Sequence, residues 1–168
     1  ADGRTHLWHS ADRYDVIENM SKGLAVAANR KMNKIAHQVF QNFDSTAFDF
    51  MTSEEGVALC SNSHTTKAPD VSTSSGFDNL STLAFDATNL EALRLQGKSL
   101  RDDIGERIET NFDTIIHPSN LAADVWEVMN SSGKTETNYN NENFQRGRWK
   151  SIELPMLDDT DTNDWFIV

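Results

Sequence analysis

A single cysteine, Cys60, stands among 168 residues. No disulfide can form within the chain, and a reducing compartment is the natural setting. No apolar run approaches the roughly 18 residues that a membrane span requires. The first residues, Ala1–His6, have neither the basic head nor the apolar stretch of a signal peptide, and no initiator Met. Basic residues are scarce: 15 Lys and Arg face 26 Asp and Glu, a formal net charge of −11. Such a surface repels phosphate, so tight, salt-dependent nucleic-acid binding is not expected as the main task. The ordinary role of the excess is solubility. Missing as well are a phosphate-cradling glycine loop, a dinucleotide fingerprint and a nucleophile elbow. One Cys and five scattered His do not furnish a four-ligand zinc site.

What is present suits one ordinary domain with one sizeable core, at 38% hydrophobic and 24% charged residues. Residues 1–14 read as irregular or extended, because Trp8, His9, Arg13 and Tyr14 lack helical spacing. From Asp15 to Phe43 an apolar stripe, Leu24, Ala28, Ile35, Val39 and Phe43, predicts a long helix beginning near Asp15 or Ser21, with Gly23 as a weak point. Ser53–Gly56 reads as a turn and Gly56–Cys60 as a short strand. Ser61–Asn79 has loop composition and unusual length. A second helix is predicted over Asp86–Gln96, with Thr88 and Glu91 as a capping box and Gly97 at its stop. Ile104–Ile108 reads as a short strand or turn.

Thr114–His117 is β-branched and apolar, a buried strand that passes through Pro118, a first-turn residue, into an amphipathic helix. Leu121, Val125, Val128 and Met129 form that helix's apolar face, with Trp126 alongside. Asn130–Gly147 is polar and Asn-rich, a second long and mobile loop. Trp149–Leu154 alternates as a half-buried strand, and Trp165–Val168 forms another. The apolar Trp165–Val168 end and the non-Met start both read as cuts, so a fragment or processed product is expected.

Candidate chemistry is thin. Cys60 and His64, four residues apart with His117 elsewhere, could pair a nucleophile with a base; a small buried thiol is the ordinary finding for such a Cys. Asp158–Asp164 carries the alternating oxygens of a calcium loop at Asp159, Asp161 and Asn163. The sixth position is Asp164 instead of Gly and no closing Glu follows, so a solvated acidic turn between two strands is the reading preferred over a metal site. Asn79-Leu-Ser81 and Asn130-Ser-Ser132 fit a glycosylation sequon, a pattern common by chance. Arg146 and Arg148 beside Trp149 could stack on bases, or be solvated charges flanking a strand.

The ordered series of segments carries more information than any one of them. The long helix ends in Ile35–Phe43, and Gly56–His64 and Asn79–Gln96 follow. Then come the Ile115–Leu121 strand-to-helix step, Asn141–Gly147, the strand running to Leu157, and Asp164–Val168. In this order the chain resembles the major capsid proteins of tailed bacteriophages, especially the branch with the Mu-like major head subunit. The resemblance implies an α+β chain of the Hong Kong 97-like capsid fold, a long spine helix plus a mixed α/β axial domain. Residues 1–14 would be the returning end of an extended loop, 15–55 the peripheral-domain spine helix, and 56–168 an axial domain incomplete at its C-terminus. The family's N-terminal arm, most of its extended loop and its C-terminal return are missing. His117 stands where the family has an apolar residue or proline.

The function so implied is structural: a subunit that self-assembles into the icosahedral shell of a phage or prophage head, enclosing DNA. Its partners would be copies of itself in pentamer and hexamer rings, other head proteins, and packaged DNA bound without sequence specificity, with no membrane. Its location would be the virion capsid, assembled in the bacterial cytoplasm. No catalytic, cofactor-binding or metal-binding residue is expected, and no cofactor. Subunit contacts are expected at Trp8, Arg13, Tyr14, Arg146 and Arg148. The rival readings are an encapsulin-type shell around a cargo enzyme and a small Cys/His hydrolase using Cys60 and His64.

Overall fold

The computed structural model describes residues 5–46, 55–133 and 141–168, with residues 5–14 described as backbone alone. The chain divides into two units, Ala1–Gln38 and Val39–Val168.

The first unit is helical. Helix α1, Thr5–Gln41, runs for 37 residues, about 55 Å at the usual rise per residue. It begins at Thr5, which corrects the extended reading of residues 1–14. That stretch contains no Gly or Pro after Gly3, and unpatterned aromatic residues do not stop a helix that is already propagating. Gly23 does not break it either, and an added Cβ there would meet no atom. Every side chain from Asp15 to Lys34 is exposed, including Met20 at 69% and Leu24 at 73%. No helix among the described residues is long and apolar enough to cross a membrane.

The second unit is built around strand β1, Thr114–His117, whose four residues are all buried. β1 is the middle strand of three. It pairs in parallel with β2, Lys150–Glu153, in the register Thr114 with Lys150 and His117 with Glu153. It pairs antiparallel with β3, Phe166–Ile167, through Ile115 with Ile167 and Ile116 with Phe166. A parallel pair needs a crossover. Here the crossover includes a 3₁₀ turn, Ser119–Leu121, and helix α3, Ala122–Asn130. Pro118 precedes the 3₁₀ turn, with φ −71° and extended ψ, instead of lying within the first helical turn. β2 is exposed along its whole length, not half-buried. It is an edge strand, and the buried residue is Trp149, one position before it.

Helix α2, Ala87–Lys98, starts one residue later and ends two residues later than the pattern predicted. Its cap is Asp86, whose carboxylate accepts from the Asn89 backbone N–H at 2.6 Å. The Thr88–Glu91 capping box is therefore incorrect, and Glu91 pairs with Arg94 at 2.7 Å. Gly97 lies inside the helix and not at its stop; a Cβ at that position would run into the ring of Phe112. The core joins the two helices to the sheet: Ala87 and Leu90 from α2, Ile115 from β1, Leu121, Val125 and Val128 from the crossover, and Trp149. Trp126 is not on that face and is 68% exposed.

Two further expectations change, and the open choice at Ile104–Ile108 is settled. Gly56–Cys60 forms no strand and follows a turn; its Cys60 N–H bonds to the Phe43 carbonyl at 2.8 Å. Ile104–Ile108 is a turn closed by a single bridge between Arg101 and Arg107. The loop read as mobile is anchored at its described parts, while residues 134–140 lie outside the described set. Buried Asn143 donates to the carbonyls of Val128 at 2.7 Å and Ser131 at 3.0 Å and accepts from the Gln145 N–H at 2.9 Å. Buried Gln145 accepts the Trp149 indole N–H at 2.8 Å and donates to Glu91 at 3.2 Å. The Gly147 N–H reaches the Met129 carbonyl at 3.2 Å. Helix α3 thus has its otherwise orphaned C-terminal carbonyls satisfied from the following segment.

Candidate functional site

Within the second unit a cleft of about 650 Å³ opens beside α2, inside the roughly 300–1,000 Å³ range of ligand clefts. Residues 78–84 cross it as a strap. The strap has no regular secondary structure and is held by side chains instead. Gln96 donates to the carbonyls of Asp78 at 3.1 Å and Leu80 at 3.3 Å. The Asn62 side chain accepts from the Leu80 N–H at 3.2 Å, and the Trp165 indole N–H donates to the Leu83 carbonyl at 3.0 Å.

The remaining walls are mainly apolar, with Asn163 and Asp164 as polar members. Leu93, Gly97 and Leu100 come from α2 and its end, with Phe112 just before β1, and Trp165, Phe166 and Ile167 come from β3 and its approach. Edge-to-face ring contacts fix this side: Phe43 on Phe166 at 5.0 Å, Phe40 on Phe166 at 5.3 Å and Phe85 on Trp165 at 5.1 Å. Such contacts hold ring orientation as well as burying area.

Among the described residues, the charged ones lining the cleft are acidic, Asp78 and Asp164, with no Lys or Arg. Burial, then the neighbouring carboxylates of Asp161 and Asp44, push the Asp164 carboxyl above its ordinary value. Cys60 also lines the cleft. Burial raises its thiol, and Asp44 adds to the effect. A nucleophilic cysteine needs the opposite shift.

His64 is not poised to activate Cys60. Its Nδ1 lies 2.9 Å from Glu55 Oε2 and its Nε2 lies 3.2 Å from Asn79 Oδ1. The hydrogen bond from His64 holds the Glu55 carboxyl below its ordinary value. His117 is buried in β1 with both ring nitrogens matched. Nδ1 faces the Pro118 carbonyl at 2.8 Å and so donates; Nε2 lies 2.7 Å from the Ser151 hydroxyl oxygen, within hydrogen-bond reach. Both contacts leave the ring with no unsatisfied polar atom, which explains how a histidine stands at a buried strand position.

The acidic run Asp158–Asp164 joins a 3₁₀ turn, Pro155–Asp159, to β3; it does not lie directly between strands. Asp158 accepts from the Ser119 N–H at 3.2 Å and the Asn120 N–H at 3.5 Å, and Asp161 from the Asn163 N–H at 2.7 Å. Among the described residues no group of three or more His, Cys, Asp or Glu is placed to hold a metal ion. In the two sequons, the Asn79 side chain bonds to the Leu59 carbonyl at 2.9 Å and that of Asn130 to the Trp126 carbonyl at 2.8 Å.

Of the expected subunit contacts, the side chains of Trp8, Arg13 and Tyr14 lie outside the described residues. Arg146 and Arg148 are exposed. The Arg148 guanidinium sits 4.3 Å over the Phe144 ring. Trp149 is buried, with its indole N–H on Gln145, so it cannot serve as a base-stacking platform. The cleft itself was missed by sequence reasoning, because the strap's composition is that of a loop. The signal available was Leu80 and Leu83 set among polar residues.

No family model, no curated protein and no solved structure matches this chain. The fold defines a mixed α+β chain, with one long exposed helix and a three-stranded sheet flanked by short helices.

Proposed function

We propose that this chain is a shell-forming subunit of a tailed-phage head with the Hong Kong 97-like fold. In this reading α1 contains the spine helix, and the sheet unit supplies the axial domain around the symmetry axes. The subunit packs with copies of itself into rings and a closed shell, with other head proteins, around DNA bound without sequence specificity.

The observation that carries the reading is the exposed state of α1. A helix of 37 residues that leaves Ile17, Met20, Leu24 and Met32 open to solvent gains nothing from burial on its own. Exposed apolar surface of that extent marks an interaction face. Repeated symmetric contacts supply the cover that an isolated copy lacks. The raised Cys60 thiol and the partners of His64 argue against the hydrolase alternative.

Sedimentation velocity with negative-stain electron microscopy of the purified protein tests the proposal. Five- or six-membered rings or closed shells are expected, growing with concentration. A monomer at every concentration overturns it, and shells filled with a protein cargo would replace the phage assignment with an encapsulin-type one.

A further inference from the structure

The acidic, apolar cleft and the exposed stripe of α1 complement one another in charge and in chemistry. Between Ser21 and Gln38 the helix carries Lys22, Arg30, Lys31 and Lys34 and no Asp or Glu, although the whole chain is at −11. Lys22 is paired with Glu18 at 2.7 Å. Among the described residues Arg30, Lys31 and Lys34 make no ion pair.

The apolar residues Ile17, Met20, Leu24 and Ala28 follow spacings of three and four, so they share one helical face. Lys31 lies three residues beyond Ala28, and Lys34 three further on. Lys31 thus continues the stripe on the same face and Lys34 flanks it.

The cleft offers the matching half: aromatic and aliphatic walls with Asp78 and Asp164 as its charged groups. Among the described residues neither carboxylate is in an ion pair. Asp164 has two further carboxylates, Asp161 and Asp44, close enough to raise it. A cation brought there relieves a repulsion that the isolated chain carries.

We propose that the cleft of one copy receives the α1 stripe of a second copy, Leu24 and Ala28 entering between the aromatic walls and Lys31 and Lys34 meeting the Asp164 side. Because stripe and cleft are different surfaces, the contact is head-to-tail, and it propagates from copy to copy instead of stopping at a dimer. The proposal rests on the self-associating reading given above and names the surfaces that meet.

Cys60 makes the contact testable without reference to shells, because it lines the cleft and is the chain's one cysteine. Ala28→Cys places a second thiol on the stripe. Val26→Cys, about 200° round the helix from Leu24, serves as the control. Treated with a short bismaleimide, the Ala28→Cys protein is expected to give a ladder of dimers and higher multimers on a denaturing gel, and Val26→Cys to give monomer. Monomer alone from Ala28→Cys, or equal ladders from both, overturns the proposal.

A charge exchange provides a second measurement. K31E/K34E and D164K should each associate about tenfold or more weakly than the wild type, since like charges then meet. A mixture of the two should recover association, because each reversed surface finds its complement. Unchanged association of either variant, or no recovery on mixing, overturns the contact. Shells without the ladder remove this contact and leave the capsid proposal standing; the ladder without rings or shells does the reverse.

Discussion

Asn143→Ala is the most exacting test of how the second unit is held together. Asn143 is buried, and three hydrogen bonds converge on it: two donated to carbonyls at the end of α3 and one accepted from the Gln145 N–H. Alanine removes all three and leaves the Val128 and Ser131 carbonyls without that partner. A buried polar group deprived of its partner costs about 1–3 kcal/mol. Water can reach part of this helix end, so a net loss of about 2–4 kcal/mol is expected. At about 3 °C per kcal/mol for a domain of this size, the melting temperature should fall by about 6–12 °C. The measurement is thermal and urea unfolding followed by far-UV circular dichroism and tryptophan fluorescence, the latter because Trp149 hangs on Gln145. Glu142→Ala, one residue earlier and exposed, is the control and should change stability by less than about 0.5 kcal/mol. If Asn143→Ala stays within that margin, or Glu142→Ala costs as much, the segment is not anchored as described and the reasoning fails.

Four other outcomes follow from the same structure. Gly97→Ala should destabilise by about 1–3 kcal/mol through overpacking against Phe112, although alanine is the better helix former; calorimetry showing a gain would contradict it. Asp164 has its folded value raised, so its ionisation opposes folding and the penalty grows as pH rises through that range. Asp164→Asn should therefore raise the melting temperature at neutral pH and converge with the wild type near about pH 3, below the ordinary Asp value. Glu91 has the opposite sign. The hydrogen bonds from Arg94 lower its folded value, so its contribution is complete above about pH 4.3 and is lost as pH falls through the depressed value. Glu91→Gln should cost about 0.5–1 kcal/mol at neutral pH and nothing in strong acid, as a pH series of urea melts would show. Cys60 should react with iodoacetamide at neutral pH more slowly than an unhindered thiol, given its raised value; a faster rate would reverse the conclusion drawn for the cleft.

How legible the fold was depended on whether a signal was local. The strand-to-helix step at Thr114–Met129 could be read because β-branched residues, Pro118 and a helical stripe follow one another directly. The α2 region was also readable, although its cap lies at Asp86, two residues before the Thr chosen for that role. Gly56–Cys60 failed because a short apolar run is compatible with a strand only if a partner strand exists, and here its backbone turns away to bond with Phe43. β2 was misjudged in burial because alternation cannot reveal an edge position. Asn143 and Gln145 were hidden in an Asn-rich stretch whose composition reads as loop, since their roles depend on groups brought close only by the crossover. The cleft was illegible for the same reason: its strap, its helix and its β3 wall are far apart in sequence.

The central position of β1 also bears on how the chain comes into being. Both partners of this strand lie downstream, Lys150–Glu153 on one side and Phe166–Ile167 on the other. During synthesis Ile115, Ile116, Leu121 and Val125 emerge from the ribosome before either partner does. The sheet cannot begin to close until Lys150–Glu153 has been made, and cannot be completed until Phe166–Ile167 follows; pairings between residues so distant in sequence are slow to form. Throughout that interval the nascent polypeptide displays its most apolar stretch unpaired, the condition under which newly made chains aggregate. The polar residues between α3 and β2 must therefore be made before the first of these pairings can form.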